Sequence, residues 1–434
     1  MKKYSTLFLF FFLFSHYCFS QSVVSPYEVG TWQGFRPAAI SYTFDDNTPN
    51  QLAVAVPMFD EFDFKLTLFT VMNWGPNWTG LQSAASNGHE IASHTVTHAS
   101  LTNLSDTQQT TELKNSYETI NSRITGQNCL TIAYPNCNVA KYDLVRPYYI
   151  AARGCQGFIE GKTPGDFMNI SSIICGSQGP VKIASDFKDR ADNAANQKGW
   201  AVYLVHAIDG DNGYSPLVST ELRASLEYLK ENENKFWVQT FANVVKYIRE
   251  RNALSVSDSV ISGDSIIVFV TDTLDNSIYN YPVTIRRPVP ENWDTLSITQ
   301  NDTIIDYQIV NDDSVSYIMF DIIPDNGDVI LVKNEVTGVY QDEISSPSSF
   351  NLYQNYPNPF NPVTKISYYV PESQSVEIKV FDLLGKEIAT LVNEFKSTGL
   401  HTVEFRADNF TSGIYFYRLK TKDVTLVKKL ALVQ

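Results

Sequence analysis

Basic residues are scarce in this 434-residue chain: 33 Lys and Arg stand against 47 Asp and Glu, for a net charge of −14. That balance disfavours nucleic acid and other anionic polymers as partners, because binding them rests on Lys and Arg neutralising fixed negative charge. Cysteine is nearly absent. The five present form no Cys-x-x-Cys pair, so nothing indicates a clustered cysteine zinc site. Long apolar runs are missing as well. The run from Leu7 to Phe14 is too short to serve as a transmembrane segment, and no other stretch is long and apolar enough. Histidine is limited to six, so a pattern among them carries weight.

The amino terminus explains the short apolar run. Lys2-Lys3 precede it and Cys18-Phe19-Ser20 follow, the order of a signal peptide with cleavage expected after Ser20. Cys18 lacks the context of a lipoprotein cysteine, so no lipid is expected. The mature chain keeps Cys129, Cys137, Cys155 and Cys175. Export makes disulfides permissible, and four cysteines allow three connectivities. Cys137 and Cys155 each follow the end of an expected strand, and the two strands are read as neighbours. The expected pairs are therefore Cys137–Cys155 and Cys129–Cys175.

Three histidines and two aspartates supply the chemistry. Asp45-Asp46 closes the β-branched run Ala38 to Phe44. His94 and His98 follow Glu90-Ile91-Ala92-Ser93, and His206 closes the run Trp200 to Val205. A carboxylate and two imidazoles suffice for a divalent metal with open positions, leaving one Asp and one His as an acid/base pair. Thr95 stands where a His-Glu-x-x-His protease would need its glutamate. Each group ends a short segment that reads as a buried parallel strand, with helical patterns between. Helices are expected over Asp106–Ile124 with Ser105 as N-cap, Thr220–Asn232 and Phe241–Arg251. Polar groups at successive strand ends predict a β/α barrel, irregular between Gly154 and Gln178.

Thr43-Phe44-Asp45-Asp46, His94-Thr95-Val96-Thr97-His98 and Leu204-Val205-His206 resemble, in order, the motifs of the polysaccharide deacetylases, the NodB-like group also called carbohydrate esterase family 4. The likeness spans about Pro37 to Asn252. It implies that Asp46, His94 and His98 hold a divalent metal ion, with zinc expected. Asp45 would be the general base, His206 the general acid, and the Asn136 N–H a donor to the oxyanion. Three departures stand out. The third motif reads Ala133-Tyr134-Pro135-Asn136-Cys137, without its arginine, and Arg153 is the expected substitute. No counterpart of the acidic fourth motif is evident, and Asn47 replaces a common glycine. His89 reads as structural. Trp74, Trp78 and Tyr214 are candidate stacking surfaces for sugar rings.

From Ser349 onward, Asn355 to Pro362, Val380 to Gly385, Gly413-Ile414-Tyr415 and Lys428-Lys429-Leu430 resemble the carboxyl-terminal sorting domain of the type IX secretion system. The expected organisation is therefore a signal peptide (1–20), a barrel (21–253), an immunoglobulin-like β-sandwich (254–343), a linker (344–349) and a sorting sandwich (350–434). The middle region carries no assignable motif and reads as a spacer rather than a sugar-binding module. The two resemblances imply an exported carbohydrate deacetylase acting on N-acetylhexosamine glycans such as chitin oligomers or peptidoglycan. The alternatives are an O-acetyl xylan esterase and a degenerate glycan-binding surface protein. The expected partners are an acetylated polysaccharide and the type IX secretion machinery.

Overall fold

A computed structural model describes residues 25–334 and 350–433, apart from positions 263, 294, 302, 313–314, 354, 356–357, 359, 384, 409 and 423. The signal peptide and the 344–349 linker lie outside the described residues. The chain divides into two compact units between positions 336 and 337.

The first unit opens with a two-residue strand, β1 (Glu28–Val29), and then builds a parallel sheet. Its strands are β2 (Ala38–Asp45), β3 (Thr67–Thr70), β4 (Glu90–Ser93), β5 (Thr131–Ala133), β6 (Ala151–Arg153), β7 (Ile173–Ile174), β8 (Trp200–Val205) and β9 (Phe236–Val238). They run in the order β6-β5-β4-β3-β2-β8-β7, with β9 paired to the start of β2. The helices between them are α1 (Val56–Glu61), α2 (Trp78–Ser86), α3 (Asp106–Arg123), α4 (Tyr142–Val145), α5 (Ala184–Gln197), α6 (Ser219–Glu231) and α7 (Phe241–Ala253). The segment after β6 holds only β7 and isolated bridges. One of these, Arg153 to Ile170, draws the two sheet edges together where a regular strand would close the barrel.

Strand periodicity decides which side chains enter the barrel. Ile40, Tyr42 and Phe44 of β2, Ile91 of β4, Ile132 of β5 and Tyr203 of β8 pack in the core shared with α1, α3, α5 and α6. The alternate residues Ala39, Phe69, Ala92, Ala133, Ala151, Trp200 and Val202 form the inner core, closed from below by Phe241 of α7. Asp45, His94, Arg153 and His206 continue this inner series by parity. All four therefore stand inside, at the carboxyl ends of their strands.

Ser105 caps α3 in a capping box with Gln108, and α6 and α7 begin within one residue of their expected starts. The following strands are β10 (Ser255–Ser262), β11 (Ser265–Thr271), β12 (Val283–Pro288), β13 (Leu296–Gln300), β14 (Thr303–Ile304), β15 (Tyr307–Asp312), β16 (Val315–Ile322) and β17 (Val329–Lys333). They make two antiparallel sheets, β1-β12-β16-β15 and β10-β11-β17-β13-β14. The edge strand β1 comes from residues ahead of the barrel. Trp32, Trp237 and Tyr247 share one apolar core with Ile285, Ile298 and Phe320, so the middle sandwich is packed on the barrel rather than merely tethered to it.

The second unit is a sandwich of two antiparallel sheets. One holds β18 (Asn351–Leu352), β19 (Val363–Val370) and β22 (Gly399–Arg406). The other holds β20 (Gln374–Phe381), β21 (Glu387–Lys396), β23 (Gly413–Lys420) and β24 (Thr425–Leu432). Ile366, Val376, Ile378, Val380, Tyr417 and Leu419 fill its core. Among the described residues, no helix is long and apolar enough to cross a membrane.

Candidate active site

Asp45 ends β2 and is almost wholly buried. The chain then turns sharply through Asp46 (φ 79°) and Asn47 (φ 54°), left-handed conformations that Asp and Asn tolerate better than other side chains. Asn47 thus serves where a glycine was the common choice. It also braces the turn: its amide donates to the Val71 carbonyl at 2.8 Å and accepts from the Val71 N–H at 3.0 Å.

His94 and His98 face Asp46 from the loop after β4. His94 Nε2 lies 3.6 Å and His98 Nε2 3.4 Å from Asp46 Oδ1. The three ligand atoms fall within 4.8 Å of one another. His94 Nδ1 pairs with the Ala133 carbonyl at 2.9 Å, which orients Nε2 toward the cluster. The loop between the histidines is held by Glu112 of α3, a residue the sequence reading passed over. Its carboxylate accepts from Val96 N (2.8 Å), Thr97 N (2.9 Å) and Thr97 Oγ1 (2.7 Å). Its position in the middle of a polar helix gave no local signal of this role.

Arg153 reaches Asp45 from the end of β6. Nη2 donates to Asp45 Oδ2, Nη1 donates to Ser172 Oγ at 3.2 Å, and the guanidinium lies over Phe69, 5.3 Å from its ring centre. The structure therefore brings the Arg153 guanidinium to the Asp45 carboxylate. His206 stands one residue past β8, its ring edge-on to Tyr214 with centroids 5.0 Å apart. Its buried Nδ1 has no hydrogen-bond partner among the described residues.

Asn136 lies in the turn after β5 with φ 54°, its side chain exposed and 3.3 Å from Ser100 Oγ. The N–H groups of Cys137 and Asn138 close that turn on Tyr134 and Pro135, whereas Asn136 N–H takes no part in either closure. Cys137 and Cys155 form a disulfide with Cα atoms 5.8 Å apart, joining this turn to the end of β6. The second expected bridge is absent. Cys129 and Cys175 are separate buried thiols, because they flank β5 and β7, which are not adjacent in the sheet. Trp74 is 48% exposed with its ring 4.7 Å from His98, and Tyr214 is 50% exposed beside His206. Trp78 instead packs on the helical core under Arg123. His89 is structural, fixed between Leu66 N and Asp60.

The electrostatics of the cluster fit a cation. Burial and the neighbouring Asp45 charge push Asp46 up to about 7, and burial lowers His94 to about 4. Asp45 Oδ1 and Asp46 Oδ1 are buried without a hydrogen-bond partner. Acceptor atoms gathered in this way repel one another unless a positive ion sits among them, and a divalent ion reverses the local titration preference. For Asp45, burial acts upward, but Arg153, His94 and His206 together outweigh it and hold the carboxyl below its ordinary value. Burial also lowers His206. Asp45 opposes that shift, while Arg153 and His98 add to it.

Comparison with known proteins matches two stretches of the chain. Residues 33–144 match the family model of polysaccharide deacetylase, and residues 354–433 match that of a secretion system C-terminal sorting domain. The first match ends ahead of Arg153 and His206. A gellan lyase from Bacillus sp is 27% identical over 327 residues, 70% of this chain, and the chain spans only 13% of that relative. Among solved structures, a putative polysaccharide deacetylase from Mycobacterium smegmatis is 15% identical, with 52% of this chain and 94% of that one covered and a TM-score of 0.41. A family 4 acetyl xylan esterase from Clostridium thermocellum is 18% identical, with 48% and 89% covered and a TM-score of 0.35.

Proposed function

Since the chain carries a polysaccharide deacetylase domain ahead of a sorting domain for type IX export to the cell surface or beyond, we propose that it is an exported, metal-dependent deacetylase of N-acetylhexosamine glycans. Asp46, His94 and His98 would hold one divalent ion, zinc being the natural choice for two imidazoles and a carboxylate. Such an ion, when bound, acidifies water and polarises an acetyl carbonyl. Asp45 takes the proton of the attacking water through its unpartnered Oδ1, while Arg153 keeps the carboxyl ionised and fixes its plane. Asn136 N–H is available to the oxyanion that develops on the acetyl carbonyl oxygen. His206 gives a proton to the departing nitrogen, and its lowered affinity for that proton makes it the stronger acid. Trp74 and Tyr214 offer exposed rings beside His98 and His206 for sugar faces.

The observation that carries this reading is the Arg153–Asp45 contact beside the Asp46, His94 and His98 cluster. It supplies a cation to Asp45 where the third motif lacks its arginine. Acetate release from chitin oligomers, peptidoglycan and acetylated xylan tests the proposal, with and without chelation and zinc restoration. Release from the N-acetyl glycans that chelation stops and zinc restores is expected. Release confined to xylan would move the substrate class to O-acetyl esters, and release unaffected by removal of the metal would overturn the mechanism.

A further inference from the structure

The ladder between β2 and β8 ends at Phe44 and Val205, so Asp45 and His206 fall just beyond its last pair. Gln51 spans that place. Its Nε2 donates to the main-chain carbonyl of Asp45 and, at 2.9 Å, to that of His206. Two acceptors face this nitrogen, which fixes the orientation of the amide. Gln51 is only 3% exposed, so both bonds are made away from water. The turn that carries it is tied to the same loop. Thr48 Oγ1 donates to the His206 carbonyl at 3.2 Å, Asn50 Nδ2 to the Ile208 carbonyl at 3.0 Å, and Asn50 N to Asp211 at 2.9 Å. A wide π turn, Gln51–Ala55, begins at this residue, and such turns gather at functional sites.

We infer that Gln51 is a positioning residue that sets the separation of Asp45 and His206 by tying their main chains together. The inference rests on the reading of Asp45 as base and His206 as acid. In one turnover the first removes a proton from water and the second delivers one to the leaving nitrogen, so both must reach the same small group of substrate atoms. A displacement of about 1 Å between such groups costs on the order of 10²-fold in rate.

Gln51→Met removes both donors while keeping nearly the same volume. On an N-acetyl glycan, kcat is expected to fall about 10- to 100-fold with KM little changed and metal content normal. An aryl acetate expels a phenolate that needs no proton, so its hydrolysis should fall far less. Gln51→Asn retains an amide one methylene shorter and should lie between. That variant carries the test should Gln51→Met fail to fold. Unchanged kcat on the glycan, or equal losses on both substrates, would overturn the inference while leaving the deacetylase reading intact. A native protein that released acetate from neither substrate would overturn both.

Discussion

Asp46, His94 and His98 come from two short segments of sequence, whereas Asp45, Arg153 and His206 are drawn from three strands spread over most of the barrel. The first group is a set of acceptors braced from behind, with the Ala133 carbonyl on His94 and Glu112 on the intervening loop. The second is a chain of charged and main-chain contacts, Arg153 to Asp45 and Gln51 to both strand ends. The difference shows where substitution is tolerated. The metal site proposed here depends on ligand identity at fixed spacing, and its three residues match the family motif in place. A cation that only has to reach a carboxylate can arrive from a neighbouring strand. β5 and β6 pair directly, and Arg153 enters beside the turn that lacks its arginine.

If the halves are separable, their variants must fail differently. The largest effect belongs to His98→Ala, which should lose both bound ion and acetate release. Elemental analysis showing a full complement of ion in an inactive variant would contradict the assignment. Arg153→Met should keep the ion and lower the rate. Because Arg153 helps hold Asp45 below its ordinary pKa, its loss lets that carboxyl rise. Activity that depends on the ionised base is then lost at higher pH as pH falls, moving the acid limb upward. An unmoved limb would leave Arg153 a structural cation. The smallest effect is expected of Glu112→Gln, which weakens the brace without touching a ligand. Metal affinity should drop about 10-fold, with kcat restored at saturating metal, as outer partners of metal ligands behave. Titration of the metal-free protein, followed by tryptophan fluorescence, would read this directly, and unaltered affinity would refute it.

The contrast also explains what the sequence disclosed. Strand parity could be read from runs such as Ala38 to Asp45, and Ser105 announced α3, because both signals are local. Arg153 was reachable by noticing a missing charge and a neighbouring strand end. Gln51 and Glu112 were not, since each acts through main-chain groups that only the folded barrel brings within reach. The Cys129–Cys175 pairing failed for a related reason: the irregular segment after β6 places β7 beside β8, away from β5. The pairing of Glu28–Val29 with Arg286 and Ile285 joins residues from opposite ends of the first unit, a contact that no local pattern encodes.

The central claim is that one half holds the ion while the other moves protons, and His206→Ala tests it most directly. Ion content would be measured alongside rates on an N-acetyl glycan and an aryl acetate. The account predicts a normal ion content, a loss of about 10²- to 10⁴-fold on the amide, and most of the activity retained on the aryl ester. Equal losses on both substrates, or loss of the ion, would contradict it.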